Sequence, residues 1–143
     1  MTNPLSERTL IYAADLTPED VRALETFLNV QLGRVHEEVG ETGDTSFAMR
    51  SLSILVSDSV GCLHKLLTVE QPETWQQAAI VREWQRLRST AHPFNHCDGY
   101  DHRWWKQVRH YDAADAAAEQ ERIRHYAALH PWTDDEEAQG GED

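Results

Sequence analysis

A cluster of histidine and cysteine side chains lies between residues 92 and 102, in the pattern His92-x3-His96-Cys97-x4-His102. Imidazole and thiolate are the groups that zinc prefers, and a structural site needs four of them at about 2.0–2.3 Å from the ion. The spacing is not that of paired C-x2-C motifs, and neighbours such as His96 and Cys97 rarely reach the same ion. One hypothesis is therefore a zinc-type site, structural or hydrolytic, built from His92, His96, Cys97 and His102. The alternative is that these side chains cap helix ends and form hydrogen bonds within a loop.

Cys97 is also a candidate nucleophile, with His96 or His102 as the activating base. The sequence shows no third orienting group and no oxyanion hole, so an ordinary loop thiol is the simpler interpretation. The other cysteine, Cys62, lies in an apolar stretch and is predicted to be a small buried side chain. Two cysteines are too few for a disulfide framework, which favours a reducing, cytoplasmic setting.

Basic and aromatic residues are interleaved from Asp101 to Tyr111. Such a surface suits single-stranded nucleic acid through stacking and phosphate contacts. It equally suits an acidic protein, because Trp and Arg are common anchors of interfaces. The predicted partner-binding residues are Tyr100, Arg103, Trp104, Trp105 and Arg109. The alternative is that Trp105, and with it Trp104, belongs to the core while the basic side chains solvate a helix.

Charge and composition narrow the function classes. The 143 residues carry a formal net charge of −12, and half of it comes from six acids at 134–143. An acidic chain repels nucleic-acid phosphate at long range, so a protein partner or a homodimer is favoured over nucleic acid. No apolar run approaches the ~20 residues that span a bilayer, and residues 1–8 lack a signal-peptide pattern. With no phosphate-binding glycine loop and no G-x-S-x-G motif, the leading hypothesis is a non-enzymatic interaction or regulatory protein without a cofactor.

The elements that position these residues are predicted to be helical. A first helix begins after Thr17, a capping hydroxyl followed by Pro18 at the first helical position, and ends at Gly40. A second helix over about 44–69 is apolar around most of its circumference, which predicts a buried central helix. Coverage by another chain is the less favoured interpretation.

Later elements follow from breaks in the apolar pattern. A third helix is predicted over about 71–90, and residues 91–100 form an ordered loop rich in Pro, Asn, Asp and Gly. The helical pattern resumes at Asp101 and continues to Leu129, as one helix or as two with a joint near Asp112. Residues 9–12 form either a strand or, as we favour, a segment packed on the core.

These elements predict an all-α fold, an antiparallel bundle of four helices, or five if the last is divided. Residues 1–132 are expected to form one helical domain, and 133–143 a disordered acidic tail.

Residues 91–104, Ala-His-Pro-Phe-Asn-His-Cys-Asp-Gly-Tyr-Asp-His-Arg-Trp, carry a family resemblance. The segment resembles the C-terminal signature of short actinobacterial and actinophage proteins of unknown function, in which a His-Pro-Asp-Tyr run is followed by a Trp. Cys97 stands where that signature has Pro, and Gly99 is inserted before the Tyr. The resemblance implies an actinobacterial or phage origin and a structural clasp, but no activity. The clasp would consist of His96, Asp98, Tyr100 and Trp104.

Overall fold

The computed structural model describes residues 10–40, 42–105 and 107–131, with the exception of the Trp105 side chain. Within these ranges the all-α prediction is confirmed, with four α-helices and no strand. The helices are α1 (Pro18–Val39), α2 (Asp44–Leu67), α3 (Thr74–Ala91) and α4 (Ala113–Leu129), and short 3-10 helices occur at Ala13–Asp15, His92–Phe94 and His102–Trp105. None of the helices in the described ranges combines the length and the apolar character needed to cross a bilayer.

The chain divides into two compact units, one ending at Tyr111 and one beginning at Asp112. This boundary falls inside the single domain predicted for residues 1–132. The predicted acidic tail, 133–143, lies outside the described residues.

Local capping explains where α1 begins. The Thr17 side chain accepts the Asp20 backbone N–H at 3.3 Å, and the Asp20 carboxylate accepts the Thr17 N–H at 2.9 Å. This reciprocal capping box satisfies two backbone donors that a helix start leaves without partners. At the other end Gly40 has φ +80°, a left-handed conformation that favours glycine. Both predicted boundaries of α1 are confirmed.

Helices α1, α2 and α3 pack against one another in the first unit. The connections between them are short, so consecutive helices run in opposite directions. Their facing stripes form a core around Trp84, which is fully buried. Other buried side chains of this core include Val21, Leu24, Leu28, Val56, Val60, Leu63, Ile80 and Leu87.

The central position predicted for α2 agrees with its packing, since it contacts both α1 and α3 more extensively than they contact each other, but the prediction that α2 is buried is wrong. In a bundle of three helices each helix has one side turned outward, so α2 buries only the face that includes Val56 and Val60. Its outward face exposes more than half of the Phe47, Ile54 and Leu55 side chains. Cys62, predicted to be buried, is exposed as well.

The chain beyond α3 first forms the predicted ordered loop. The loop consists of successive tight turns. The Asn95 N–H donates to the His92 carbonyl at 3.1 Å, and the Cys97 N–H donates to the Phe94 carbonyl at 3.0 Å. Gly99, with φ +89°, then turns the chain into buried Tyr100.

The helix predicted from Asp101 is interrupted, and residues 107–110 are not helical. The carbonyls of His110 and Tyr111 accept the backbone N–H groups of Ala13 and Ala14, at 3.1 and 2.7 Å. Val108 is fully buried, and its carbonyl accepts a hydrogen bond from the Gln85 side chain of α3. Contacts with distant parts of the chain therefore override the local helical pattern. The Leu10 side chain is also buried, as expected for a segment packed on the core.

The second unit contains α4. The Asp112 side chain accepts the Asp115 N–H at 2.8 Å and caps the helix, so the boundary predicted near Asp112 is present. Unlike the other three α-helices, α4 has no buried residue, and Ile123, Tyr126 and Leu129 are all exposed.

Candidate functional site

The four candidate zinc ligands do not come together. His96 Nε2 lies 3.7 Å from Cys97 Sγ. The His102 ring packs edge-on against Tyr100, with centroids 5.8 Å apart. His92 belongs to the 3-10 helix that follows α3. Among the described residues, which include all four candidates, no three His, Cys, Asp or Glu side chains are arranged to hold a metal ion.

Tyr100 and Trp104 form an aromatic cluster with Phe27 of α1. The three ring centroids are 5.4–5.5 Å apart, and the Tyr100 and Trp104 rings are perpendicular. Edge-to-face pairs of this kind stabilise a core beyond the area they bury. Tyr100 is 8% exposed and Trp104 is 3% exposed, so neither ring is presented to a partner. The interpretation of Trp104 as a core residue is confirmed.

Two members of the clasp implied by the family resemblance belong to this cluster, namely Tyr100 and Trp104. The other two, His96 and Asp98, are exposed and line a cavity together with Cys97. Two residues of the implied clasp are therefore buried and two are exposed.

Burial and charge change the titration of two neighbouring groups. Burial raises the pKa of Tyr100, the nearby Arg88 charge opposes that effect, and Asp101 adds to it. Among the residues that the structure describes, the Tyr100 hydroxyl has no hydrogen-bond partner. Burial alone would raise the pKa of Asp101, but hydrogen bonds from the Arg103 side chain and backbone, with the Arg103 charge, hold it below its usual value.

The two predicted basic anchors differ in their surroundings. Arg103 Nε donates to the Asp101 carboxylate at 2.9 Å, and both side chains are largely buried, so this guanidinium is engaged within the fold. Arg109 is exposed, and its Nε donates to Gln107 Oε1 at 3.1 Å. Of the predicted partner-binding residues whose side chains are described, Arg109 alone is exposed.

A groove of about 680 Å³ runs between α2 and α3. Its apolar lining consists of Leu52, Leu55, Val56 and Leu87, and its polar lining of Ser59, Arg82, Gln85, Arg86, Ser89 and Thr90. The carboxylate of Glu83, which is nearly buried, lies 3.6 Å from Arg82 and 3.2 Å from Arg86. Two guanidinium groups share one carboxylate, so this edge of the groove carries a net positive charge.

A second, more polar cavity of about 390 Å³ adjoins Cys97. Arg34 Nη2 of α1 donates to Cys97 Sγ at 3.4 Å. Gln31, also of α1, lines the same cavity. Sequence reasoning missed both residues, because they are more than 60 positions away from the thiol and no motif connects them to it.

Comparison with protein-family models, with curated proteins and with solved structures found no match to this chain. The function is therefore inferred from the geometry of these sites.

Proposed function

We propose that this protein is a non-enzymatic interaction protein that binds an acidic, amphipathic helix of a protein partner in the groove between α2 and α3. The observation that carries the proposal is the combination of an apolar groove with a positively charged edge. Leu55 lines this groove and is 63% exposed.

An apolar surface of this kind is costly unless something covers it. Elsewhere on α2, the Ile54 and Phe47 side chains are also more than half exposed. Contiguous apolar patches on a protein surface commonly mark interaction sites. A groove between two helices is a usual receptor for the apolar stripe of a third helix, whose anchors recur at i, i+3, i+4 and i+7.

Charge favours an acidic occupant. The chain as a whole is strongly negative, so an acidic partner would be repelled by most of its surface. The edge formed by Arg82 and Arg86 is a local exception, and both side chains are more than half exposed. Glutamate or aspartate flanking the apolar stripe of a partner helix would therefore select this groove and orient the helix in it.

The α2–α3 groove takes the place of the binding surface that the sequence predicted around residues 100–109. Tyr100 and Trp104 support the first unit from inside, and Arg103 is held by Asp101. Segment 92–111 thus shapes the bundle, while α2 and α3 present the binding surface. Arg109 lies outside the groove lining and is not required by this proposal.

A synthetic peptide tests the groove directly. The probe is a fluorescently labelled helix with Leu at i, i+3, i+4 and i+7 and Glu on its flanks, titrated with the full chain and followed by anisotropy. A peptide of the same composition in scrambled order and a peptide with Lys in place of Glu are the specificity controls. We expect binding of the first peptide alone, because the groove recognises both the stripe and its charge.

Matched variants separate the groove from the rest of the surface. Leu55→Asp and Arg86→Gln should each weaken binding on the order of tenfold, the loss typical of an interface anchor. Val30→Asp and Arg22→Gln alter exposed residues of α1 and should leave binding unchanged. Equal binding of the scrambled peptide, or equal losses in the α1 variants, would overturn the proposal. A homodimer in sedimentation experiments that dissociates on Leu55→Asp would instead assign the groove to a second copy of the chain.

A further inference from the structure

The outward face of α2 carries exposed side chains that do not line the α2–α3 groove. Phe47, Ile54 and Gly61 are spaced by seven residues, so they lie on one side of the helix, and the first two are 56% and 61% exposed. Arg50 and Asp58, also exposed, lie on the same side, because each is three or four positions from two members of this series. Arg50 Cζ lies 5.9 Å from the centroid of the Phe47 ring. We call these five residues the outer stripe of α2.

Gly61 leaves a gap in the outer stripe that the described fold does not require. Glycine inside a helix is less favourable than alanine, because it loses more conformational freedom on folding. Gly61 does not adopt a positive φ, so its backbone conformation is open to other residues. A Cβ added there would meet no described atom within 4 Å outside its immediate neighbours and its own helix backbone. The bare backbone at Gly61 is therefore accessible to a side chain from another molecule.

The outer stripe is complementary to itself when two copies of α2 pair in opposite directions about Ile54. A twofold axis at Ile54 places each residue opposite the position that is equally distant on the other side of Ile54. Phe47, seven positions before Ile54, then faces Gly61 of the partner subunit, seven positions after it. Arg50 faces Asp58 of the partner subunit, because both are four positions from Ile54. A large ring thus meets a gap, and a guanidinium meets a carboxylate.

We propose that this protein forms a symmetric homodimer through antiparallel pairing of the outer stripes of two α2 helices. In a twofold interface the same patch is buried on both subunits, so each complementary contact occurs twice. The net charge of −12 opposes association, and the two Arg50–Asp58 pairs oppose that repulsion where the subunits meet. The proposal is independent of the α2–α3 groove, because none of the five stripe residues lines it.

The length of the outer stripe determines how strong the dimer should be. A helix rises 1.5 Å per residue, so the stripe from Phe47 to Gly61 is about 21 Å long. One pair of helices in contact over this length buries less than the roughly 800 Å² per partner of a standard interface. We therefore expect a weak dimer, with a dissociation constant on the order of 10 µM.

Sedimentation of the full chain, at concentrations from well below to well above that constant, measures the equilibrium. Arg50→Glu and Asp58→Arg should each weaken dimerisation on the order of tenfold, because each places like charges opposite one another. The double variant restores opposite charges in exchanged positions and should recover most of the lost affinity. Arg50 and Asp58 are exposed, so these variants should fold, and far-UV circular dichroism checks that they do.

Gly61→Gln tests the gap. The new side chain occupies the space that faces Phe47 of the partner subunit, so dimerisation should weaken on the order of tenfold. The melting temperature of the monomer should not fall, because glutamine is a better helix former than glycine. Ala48→Gln is the matched control, since it adds the same side chain at an exposed α2 position outside the outer stripe and should leave the dimer intact.

The same measurements contain the outcomes that would overturn the proposal. A monomer at every concentration would do so, as would a double charge variant that dimerises no better than the two single variants. Equal losses in Gly61→Gln and Ala48→Gln would show that the gap has no specific role. Leu55→Asp should leave the dimer intact, and a dimer that dissociates on this change but survives the stripe variants would place the interface in the α2–α3 groove instead.

Discussion

Truncating Trp104 should greatly reduce folding stability if the side chain belongs to the core, and should hardly change it if the side chain is an exposed interface anchor. It is 3% exposed, and its ring centroid lies 5.4 Å from those of both Phe27 and Tyr100. Trp104→Ala would leave a cavity in this cluster, and such a truncation of a buried Trp costs about 3–5 kcal/mol. Two ring pairs are lost with it, which places the expected loss toward the upper end of that range.

Urea unfolding followed by far-UV circular dichroism measures this loss. With a typical m-value of about 2 kcal/mol/M, a destabilisation of about 4 kcal/mol lowers the unfolding midpoint by about 2 M at unchanged m. Trp104→Phe keeps a ring beside Phe27 and should be destabilised less than Trp104→Ala. The two variants can therefore be ranked by stability even if the alanine variant is largely unfolded.

Trp75 supplies the matched control. It is 64% exposed, and its indole Nε1 donates to Glu73 Oε2 at 2.8 Å. Because little area is buried there, Trp75→Ala should change the free energy of unfolding by less than about 1 kcal/mol. Similar small losses for Trp75→Ala and Trp104→Ala would refute the burial of Trp104 and return it to the surface as a candidate anchor.

Further predictions concern three side chains and the effect of removing metal. Tyr100→Phe removes a buried hydroxyl that no described residue hydrogen-bonds, so stability at neutral pH should be equal or higher. Because folding raises the pKa of Tyr100, the wild type should also lose stability relative to this variant as the pH rises above about 10. The same decline of the unfolding free energy with pH in both proteins would contradict this. Folding lowers the pKa of Asp101, so the stability advantage of the wild type over Asp101→Asn should be present above about pH 4 and shrink below it, whereas a pH-independent difference would argue against the pair with Arg103. Thr17→Ala breaks the capping box and should cost about 1 kcal/mol in urea unfolding, with Thr17→Ser largely restoring it. Since no three potential ligands converge among the described residues, dialysis against EDTA should leave the melting temperature unchanged, and a fall of several degrees would revive the zinc hypothesis.

The features that could be predicted from sequence are those determined by neighbouring residues. The start of α1 depends on Thr17 and Asp20, which are three positions apart, and its end depends on Gly40. The loop after α3 follows from His92-Pro93 and from turn residues close by in the chain. Each of these signals acts within about one helical turn, so no tertiary information is needed to interpret it.

The features that could not be predicted depend on contacts distant in sequence. The spacing of residues 101–111 is compatible with a helix, but the backbone at 110–111 pairs with Ala13 and Ala14 instead. The Cys97 surroundings have the same origin, because α1 brings Arg34 to a thiol that follows it by 63 positions. Periodicity within one segment contains no information about which remote partner will supply a hydrogen bond.

The error about α2 is informative for function. An apolar pattern around most of a helix predicts that other elements cover the helix, but it does not identify those elements. Within the first unit, α1 and α3 cover only one side of α2, and residues 107–110 are not helical. Phe47, Ile54 and Leu55 consequently remain exposed to water, although charged residues at these positions would be compatible with the same core. Because that exposure brings a risk of aggregation and no packing benefit to the isolated unit, the exposed Leu55 side chain supports the proposal that a partner helix binds in the α2–α3 groove.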